Sequence, residues 1–191
     1  SHSTFAEVVW TVIPVVILLV MAVPAARTML KAEDSRDPDV SIVITGYQWK
    51  WHYKYQDEGI AFFSSLARPS VDARRLNSGT DVNTVENYLL EVDRPVVVPV
   101  GAKVRLLLTA NDVIHSWWVP DLAIKKDAIP GIINETWFRA EEVGTYRGQC
   151  TELCGKDHGY MPVVVEVVEQ DAYTAWVDAR KNGDAKLASA Q

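Results

Sequence analysis

Residues 8–26 (VVWTVIPVVILLVMAVPAA) carry no charge, and roughly 20 consecutive apolar residues are what a helix needs to cross the hydrocarbon of a bilayer. Whatever else the chain folds into must be compatible with that one membrane-spanning helix and the lipid around it. Pro14 and Pro24 fit the reading, because neighbouring helices re-satisfy backbone groups that proline frees inside a membrane. A signal sequence fits worse, since Glu7 borders the run and no basic segment precedes it. A buried helix of a larger soluble core is the remaining alternative. Arg27, Lys31 and Arg36 follow the run and by the charge rule would keep the rest cytoplasmic. Large domains translocate regardless of such charges, so the rule does not orient this chain.

Beyond a polar connector at residues 31–39 (KAEDSRDPD) the apolar pattern changes to period two. Residues 40–55 (VSIVITGYQWKWHYKY) place Ile42 and Ile44, then Trp49, Trp51, Tyr53 and Tyr55, at alternate positions, which reads as one strand with a heavy aromatic load. Such rings pack cores, and they can also bridge electrons. Residues 64–86 are polar, hold Pro69 and Gly79, and read as a long loop or insertion. Runs at 88–92, 96–100, 103–110, 114–119, 135–140, 144–149 and 162–168 are short and separated by turn residues, the signature of an antiparallel sandwich or barrel. Residues 170–181 (QDAYTAWVDARK) space Tyr173, Trp176 and Val177 as a helix does, and the tail after them reads as unstructured. The expected organisation is a spanning helix at 1–30, a connector at 31–39, a mainly β domain at 40–169 and a short C-terminal helix and tail at 170–191. A net charge of -6, a pI of about 5.2 and no stripe of Lys and Arg exclude nucleic acid as a partner and leave a basic protein open.

Chemistry concentrates in residues 148–162 (GQCTELCGKDHGYMP), which hold both cysteines of the chain, Cys150 and Cys154, together with His158 and Met161. Thiolate and thioether are soft ligands suited to copper, whereas imidazole serves copper, zinc and iron alike. A Cys, His and Met set therefore favours copper over zinc, whose sites rarely use Met. One loop seldom fills a coordination sphere. Of the other histidines, His2, His52 and His115, the last lies at a strand end in NDVIHSWWVP and is the best distant ligand, although a satisfied core histidine is the blander reading. One Cys, two His and an axial Met would make a mononuclear blue-copper site and leave the second Cys unused. Two thiolates bridging two coppers would use every ligand. In an exported domain a Cys150–Cys154 disulfide is the default that either metal reading must displace.

The motif CxExCxxxHxxM at 150–161, after DVIHSW at 112–117 and GYQWKWHYKY at 46–55 and behind a helix opening EVVWTVIP at 7–14, closely resembles subunit II of the cytochrome c oxidases. The resemblance runs from Glu7 to about residue 168. It implies a cupredoxin-like Greek-key β-sandwich or barrel with a binuclear copper centre, CuA, facing the periplasm or the mitochondrial intermembrane space from an inner membrane. It implies a proton-pumping oxidase whose subunit I holds the haems and reduces oxygen to water, with further oxidase subunits around it. By that resemblance His115, Cys150, Cys154, His158 and Met161 are copper ligands and Glu152 ligates through its main-chain carbonyl, its side chain reaching a magnesium ion shared with subunit I. Trp49 matches the residue through which electrons arrive from cytochrome c, and Asp93 and Asp112 match acidic positions that dock this basic carrier. Glu7 matches a carboxylate at the mouth of a proton path; without the resemblance it reads as a solvated group at a helix end. Trp117, Trp118 and Val119 would shield the copper from water, or serve as plain core.

The sequence also departs from the family. Two helices precede the family's soluble domain where this chain shows one, and Lys54 stands where several relatives carry Glu. No haem-attachment motif or haem-binding extension follows the copper motif within these residues. Nitrous oxide reductase holds a similar centre without the membrane helix, and quinol oxidase subunits share the fold but have lost the copper ligands. A membrane-tethered binding module with a structural disulfide would need neither His115 nor Met161.

Overall fold

The uncharged run forms helix α1 (Thr4–Ala32) in a computed structural model that describes residues 2–188. At about 1.5 Å per residue its 29 residues reach roughly 44 Å, longer than the roughly 30 Å of bilayer hydrocarbon. Ser3 Oγ caps the helix by accepting from the Ala6 N–H at 3.4 Å. Thr11 and Thr28 turn their hydroxyls back onto the carbonyls of Glu7 and Pro24, so two polar side chains of an apolar helix are satisfied within it. None of its side chains is buried, as lipid-solvated residues require.

The second unit, Asp37–Gln191, holds among the described residues ten strands: β1 (Val40–Tyr47), β2 (Lys50–Tyr55), β3 (Ala61–Ser64), β4 (Val96–Pro99), β5 (Val104–Ala110), β6 (His115–Val119), β7 (Ile124–Ala128), β8 (Asn134–Phe138), β9 (Gly144–Cys150) and β10 (Pro162–Val168). They form two five-stranded sheets, ordered β3-β2-β1-β5-β8 and β4-β10-β9-β6-β7. The sheets are mixed, not antiparallel as short evenly spaced runs suggest, because β1 pairs parallel with β5 and β10 pairs parallel with β4. Long connections return the chain in the same direction beside an earlier strand, and run lengths alone do not encode that.

Residues 40–55 make a hairpin, not one strand. Gln48 and Trp49 form the turn, Tyr47 pairs with Lys50, and Ile42, Ile44 and Gly46 face Tyr55, Tyr53 and Trp51. Residues 64–86 contain helix α2 (Arg68–Ala73), with Pro69 in its first turn where a missing N–H costs nothing. Residues 88–92 are not a strand: Leu89 has φ +62°, which breaks extended backbone, and only Val92 bridges, to Leu66. Strand β7 (IKKDA) has no period-two signal, since it is a sheet edge with two buried residues. Helix α3 (Gln170–Ala188) continues past residue 181, contrary to the unstructured tail expected there; residues 189–191 lie outside the described region.

The core lies between the sheets. Ile42, Ile44, Trp51, Tyr53, Tyr55, Leu106 and Leu108 come from one, and Val96, Val98, Trp117, Val119, Val163, Val165 and Val167 from the other. Buried phenols must find partners, and here they cross-link the layers. The Tyr55 hydroxyl donates to the Val97 carbonyl at 2.8 Å and accepts from the Val97 N–H at 2.9 Å. The Tyr53 hydroxyl accepts from Trp117 Nε1 at 3.2 Å. Helix α3 closes one side, burying Tyr173 and Val177 and tilting Trp176 onto Tyr55.

Candidate metal centre

Two strand ends and one loop meet at the edge of this core. His115 opens β6, Cys150 closes β9, and Trp117 and Cys150 are register partners between those strands. The chain then loops through Cys154 and His158 to Met161, directly before β10. His115 leans on β1 of the opposite sheet at Gly46, where a Cβ would stand 2.7 Å from His115 Cδ2, so only glycine lets the ring lie there. At the other side Gly155 has φ +122°, a conformation that favours glycine, and packs against the Trp49 indole.

The donor atoms converge. Cys150 Sγ lies 3.9 Å from Cys154 Sγ, 4.0 Å from His115 Nδ1 and 3.4 Å from the Glu152 carbonyl. Cys154 Sγ lies 3.5 Å from His158 Nδ1 and 3.6 Å from Met161 Sδ. Two sulfurs each about 2.3 Å from one tetrahedral metal would stand about 3.8 Å apart, so this spacing suits thiolates that share metal ions. Both thiols are free, and their separation is nearly twice the roughly 2.05 Å of a disulfide, so the disulfide default is not what the fold builds. His115, Cys150, Cys154 and Met161 are buried, His158 is half-buried and the Glu152 side chain is exposed. Soft, dry donors of this kind fit copper.

Electrostatics divides the two thiols. Burial pushes Cys150 up, but hydrogen bonds with His115, the Ser116 and Glu152 backbone and His158 outweigh it and bring it down to about 7. Burial and then the neighbouring Cys150 thiolate push Cys154 up to about 12. For His115 burial lowers the pKa, but contacts with Cys150 and Asp112 outweigh it and raise it. Burial also raises Asp112, yet hydrogen bonds with His115 and from the backbone N–H groups of Gln48 and Val113 hold its carboxyl below the usual range. His115 Nε2 meets Asp112 Oδ1 at 2.9 Å, which leaves Nδ1 facing the sulfur. A carboxylate behind an imidazole fixes its tautomer and raises its basicity as a ligand.

Trp49 lies half-buried at the hairpin turn and donates from Nε1 to the Cys154 carbonyl at 3.2 Å. Gln48 Nε2 donates to the same oxygen at 2.8 Å, and Trp51 Nε1 donates to the Met161 carbonyl at 3.3 Å. Trp117 and Val119 are buried core, whereas Trp118, on the other face of β6, is half-buried. Asp112 stands at the site as a partner of His115; Asp93 is exposed and accepts from the Ser65 N–H at 2.7 Å. Glu7 lies in the first turn of α1 beside His2 at 3.2 Å. Gln48 and Arg74, whose Nη1 lies 3.2 Å from Asp157 in the ligand loop, escape sequence reasoning because each looks like solvated surface. The QWKW motif around Gln48 was the one available signal.

Residues 40–168 match the family described as cytochrome c oxidase subunit II, periplasmic domain. The chain is 44% identical over 182 residues to the probable cytochrome c oxidase subunit 2 of Rickettsia bellii, covering 95% of this chain and 64% of that protein. It is 42% identical over 172 residues to cytochrome c oxidase subunit 2 of the lancelet Branchiostoma floridae, covering 90% of this chain and 71% of the other. The chain spans between 55% and 64% of the length of the Rickettsia relatives. The crystal structure of the periplasmic domain of subunit II of cytochrome oxidase (CoxB) of Bradyrhizobium japonicum superposes with a TM-score of 0.68 at 39% identity, over 78% of this chain and 98% of that one. The same domain in a mixed disulfide with a thioredoxin-like protein, TlpA, gives 0.63 at 39% identity, over 79% and 96%. The mixed two-sheet unit is thus the cupredoxin-like domain that the motifs implied. With its fold, its matched residues 40–168 and its converging donors in agreement, the chain belongs to the cytochrome c oxidase subunit II family.

Proposed function

We propose that this chain receives electrons singly from a soluble, basic cytochrome c and passes them to haem in subunit I of a proton-pumping haem-copper oxidase. The observation that carries the reading is the pair of free, buried thiols 3.9 Å apart, each with an imidazole Nδ1 within 4.0 Å. His115, Cys150, Cys154, His158 and Met161, with the Glu152 carbonyl, would hold two copper ions. Two copper ions bound by these residues would supply a one-electron store. The protein keeps the donors dry with Trp51, Trp117 and Met161, each at most 1% exposed, and holds His115 in one tautomer through Asp112. Trp49 offers carriers an indole hydrogen-bonded to the backbone of ligand Cys154, so electrons reach the site along a short bonded path.

Helix α1 anchors the domain on the periplasmic side of a bacterial inner membrane, or the equivalent side in mitochondria. Glu7 sits at the mouth of a proton path into subunit I. Asp93 and Asp112 lend negative charge to the face that meets cytochrome c. The exposed Glu152 carboxylate contributes to a magnesium site completed by subunit I. Val113, Ile114 and Leu153 are exposed apolar residues beside the ligands, a surface suited to a partner subunit.

Stopped-flow mixing of the copper-loaded chain with reduced cytochrome c tests the proposal. Trp49→Phe is expected to slow reduction on the order of tenfold or more, since a small misplacement of a reacting group has that scale of effect, with the copper spectrum retained. Reduction of the variant at the wild-type rate would contradict the role given to Trp49, and no reduction of the wild type would contradict the function.

A further inference from the structure

Helix α2 and the residue after it belong to the polar stretch that the function leaves unexplained. The helix is fixed to the sandwich: the Ala67 N–H donates to the Glu91 carbonyl at 2.9 Å, Ser70 Oγ accepts from the Leu89 N–H at 3.1 Å, and the Glu91 carboxylate holds Arg147 of β9 at 2.8 Å. Its arginines divide. Arg68 and Arg75 both pair with Asp72 of the same segment, whereas Arg74 reaches across to the ligand loop. There its Nη1 meets Asp157 Oδ1 at 3.2 Å, and its guanidinium lies 4.0 Å from the centroid of the Tyr160 ring. The two contacts fall on either side of His158.

The ligand loop needs such a hold. Cys154 and Met161 are buried, but among the described residues the six between them make only local backbone bonds, His158 N–H to the Gly155 carbonyl and Tyr160 N–H to the Asp157 carbonyl. Bonds of that reach do not pin a segment to its surroundings. A planar guanidinium that pairs with a carboxylate on one edge and stacks on a ring with its face does, and Lys lacks that shape. Arg74 and Asp157 are each 27% exposed, so solvent weakens their pair less than it would a surface one. With Trp49, Ser65, Leu66 and Val71 these residues also line a cavity of about 250 Å³ beside the indole.

We propose that Arg74 is a positioning residue for the metal centre: anchored through α2, it clamps Asp157 and Tyr160 and so holds His158 where its Nδ1 faces Cys154. The proposal rests on the copper-site reading only for its metal readout, because the clamp also acts in metal-free protein. The experiment uses the full chain in detergent as wild type, Arg74→Ala, Arg74→Lys, Asp157→Asn, the Arg74→Ala/Asp157→Asn double variant and Arg75→Ala. Amide hydrogen exchange of residues 156–160 in metal-free protein is expected to quicken roughly tenfold in Arg74→Ala and Asp157→Asn, as local opening becomes easier. The double variant should match the larger of the two single effects and fall well short of their product, Arg74→Lys should fall between, and Arg75→Ala should match wild type. Loaded protein should lose copper to a chelator faster in the same order, with an altered visible spectrum for Arg74→Ala. Unchanged exchange at 156–160 in Arg74→Ala and Asp157→Asn, or a rise spread over the whole β unit in both, would overturn the clamp. A wild type that binds no copper would defeat the functional reading, while the exchange result would still decide the clamp.

Discussion

At the scale of the residue, two cysteines four positions apart are chemically unequal. Cys150 receives hydrogen bonds that favour its thiolate and is brought to about 7, so it is largely ionised above that pH. Burial, and then the thiolate beside it, push Cys154 up to about 12. Metal ligation needs both thiolates, so loading near neutral pH must expel the second proton. The thiolate absorbance of reduced, metal-free protein should therefore rise by one thiolate per chain around pH 7 and by the second only in strong alkali. A single step near 9 for both would contradict the arrangement. The soft donors were legible from spacing, because Cys, His and Met rarely cluster without cause. Gln48, Arg74 and the second role of Asp112 were not, because what they do depends on strands and loops distant in the chain.

At the scale of the element, the aromatic hairpin decides how the sheets join. Tyr55 is fully buried and its hydroxyl serves both backbone groups of Val97 in the other sheet. Tyr55→Phe keeps the ring and leaves those two groups unpaired, which costs about 1–3 kcal/mol. Denaturant unfolding followed by tryptophan fluorescence should show that loss, and an unchanged midpoint would contradict it. The hairpin itself was written in the sequence as a change of parity: the inward set runs 42 and 44, then 51, 53 and 55. A continuous strand cannot change faces without a bulge or a turn. Strand β7 left no such trace, since an edge strand facing solvent needs little apolar alternation, and α2 was hidden by polar residues that satisfy one another.

At the scale of the whole molecule, the chain joins an apolar helix long enough to cross a bilayer to a β-sandwich that gathers soft donors at one end. Period-two runs made the sandwich legible, while its parallel pairings were set by long returns of the chain. The centre draws His115 from one strand end, Cys150 from another and the rest from a single loop, all on the sheet β4-β10-β9-β6-β7, while the hairpin of the other sheet packs on it through Gly46 and hydrogen-bonds it through Gln48 and Trp49. The most direct test is copper content with electron paramagnetic resonance on the full chain, loaded under reducing conditions and then mildly oxidised. Two coppers per chain sharing one unpaired electron, with the shared signal lost in His115→Ala, is the predicted result. One copper with a localised signal, or no copper with Cys150 and Cys154 joined, would contradict the binuclear site.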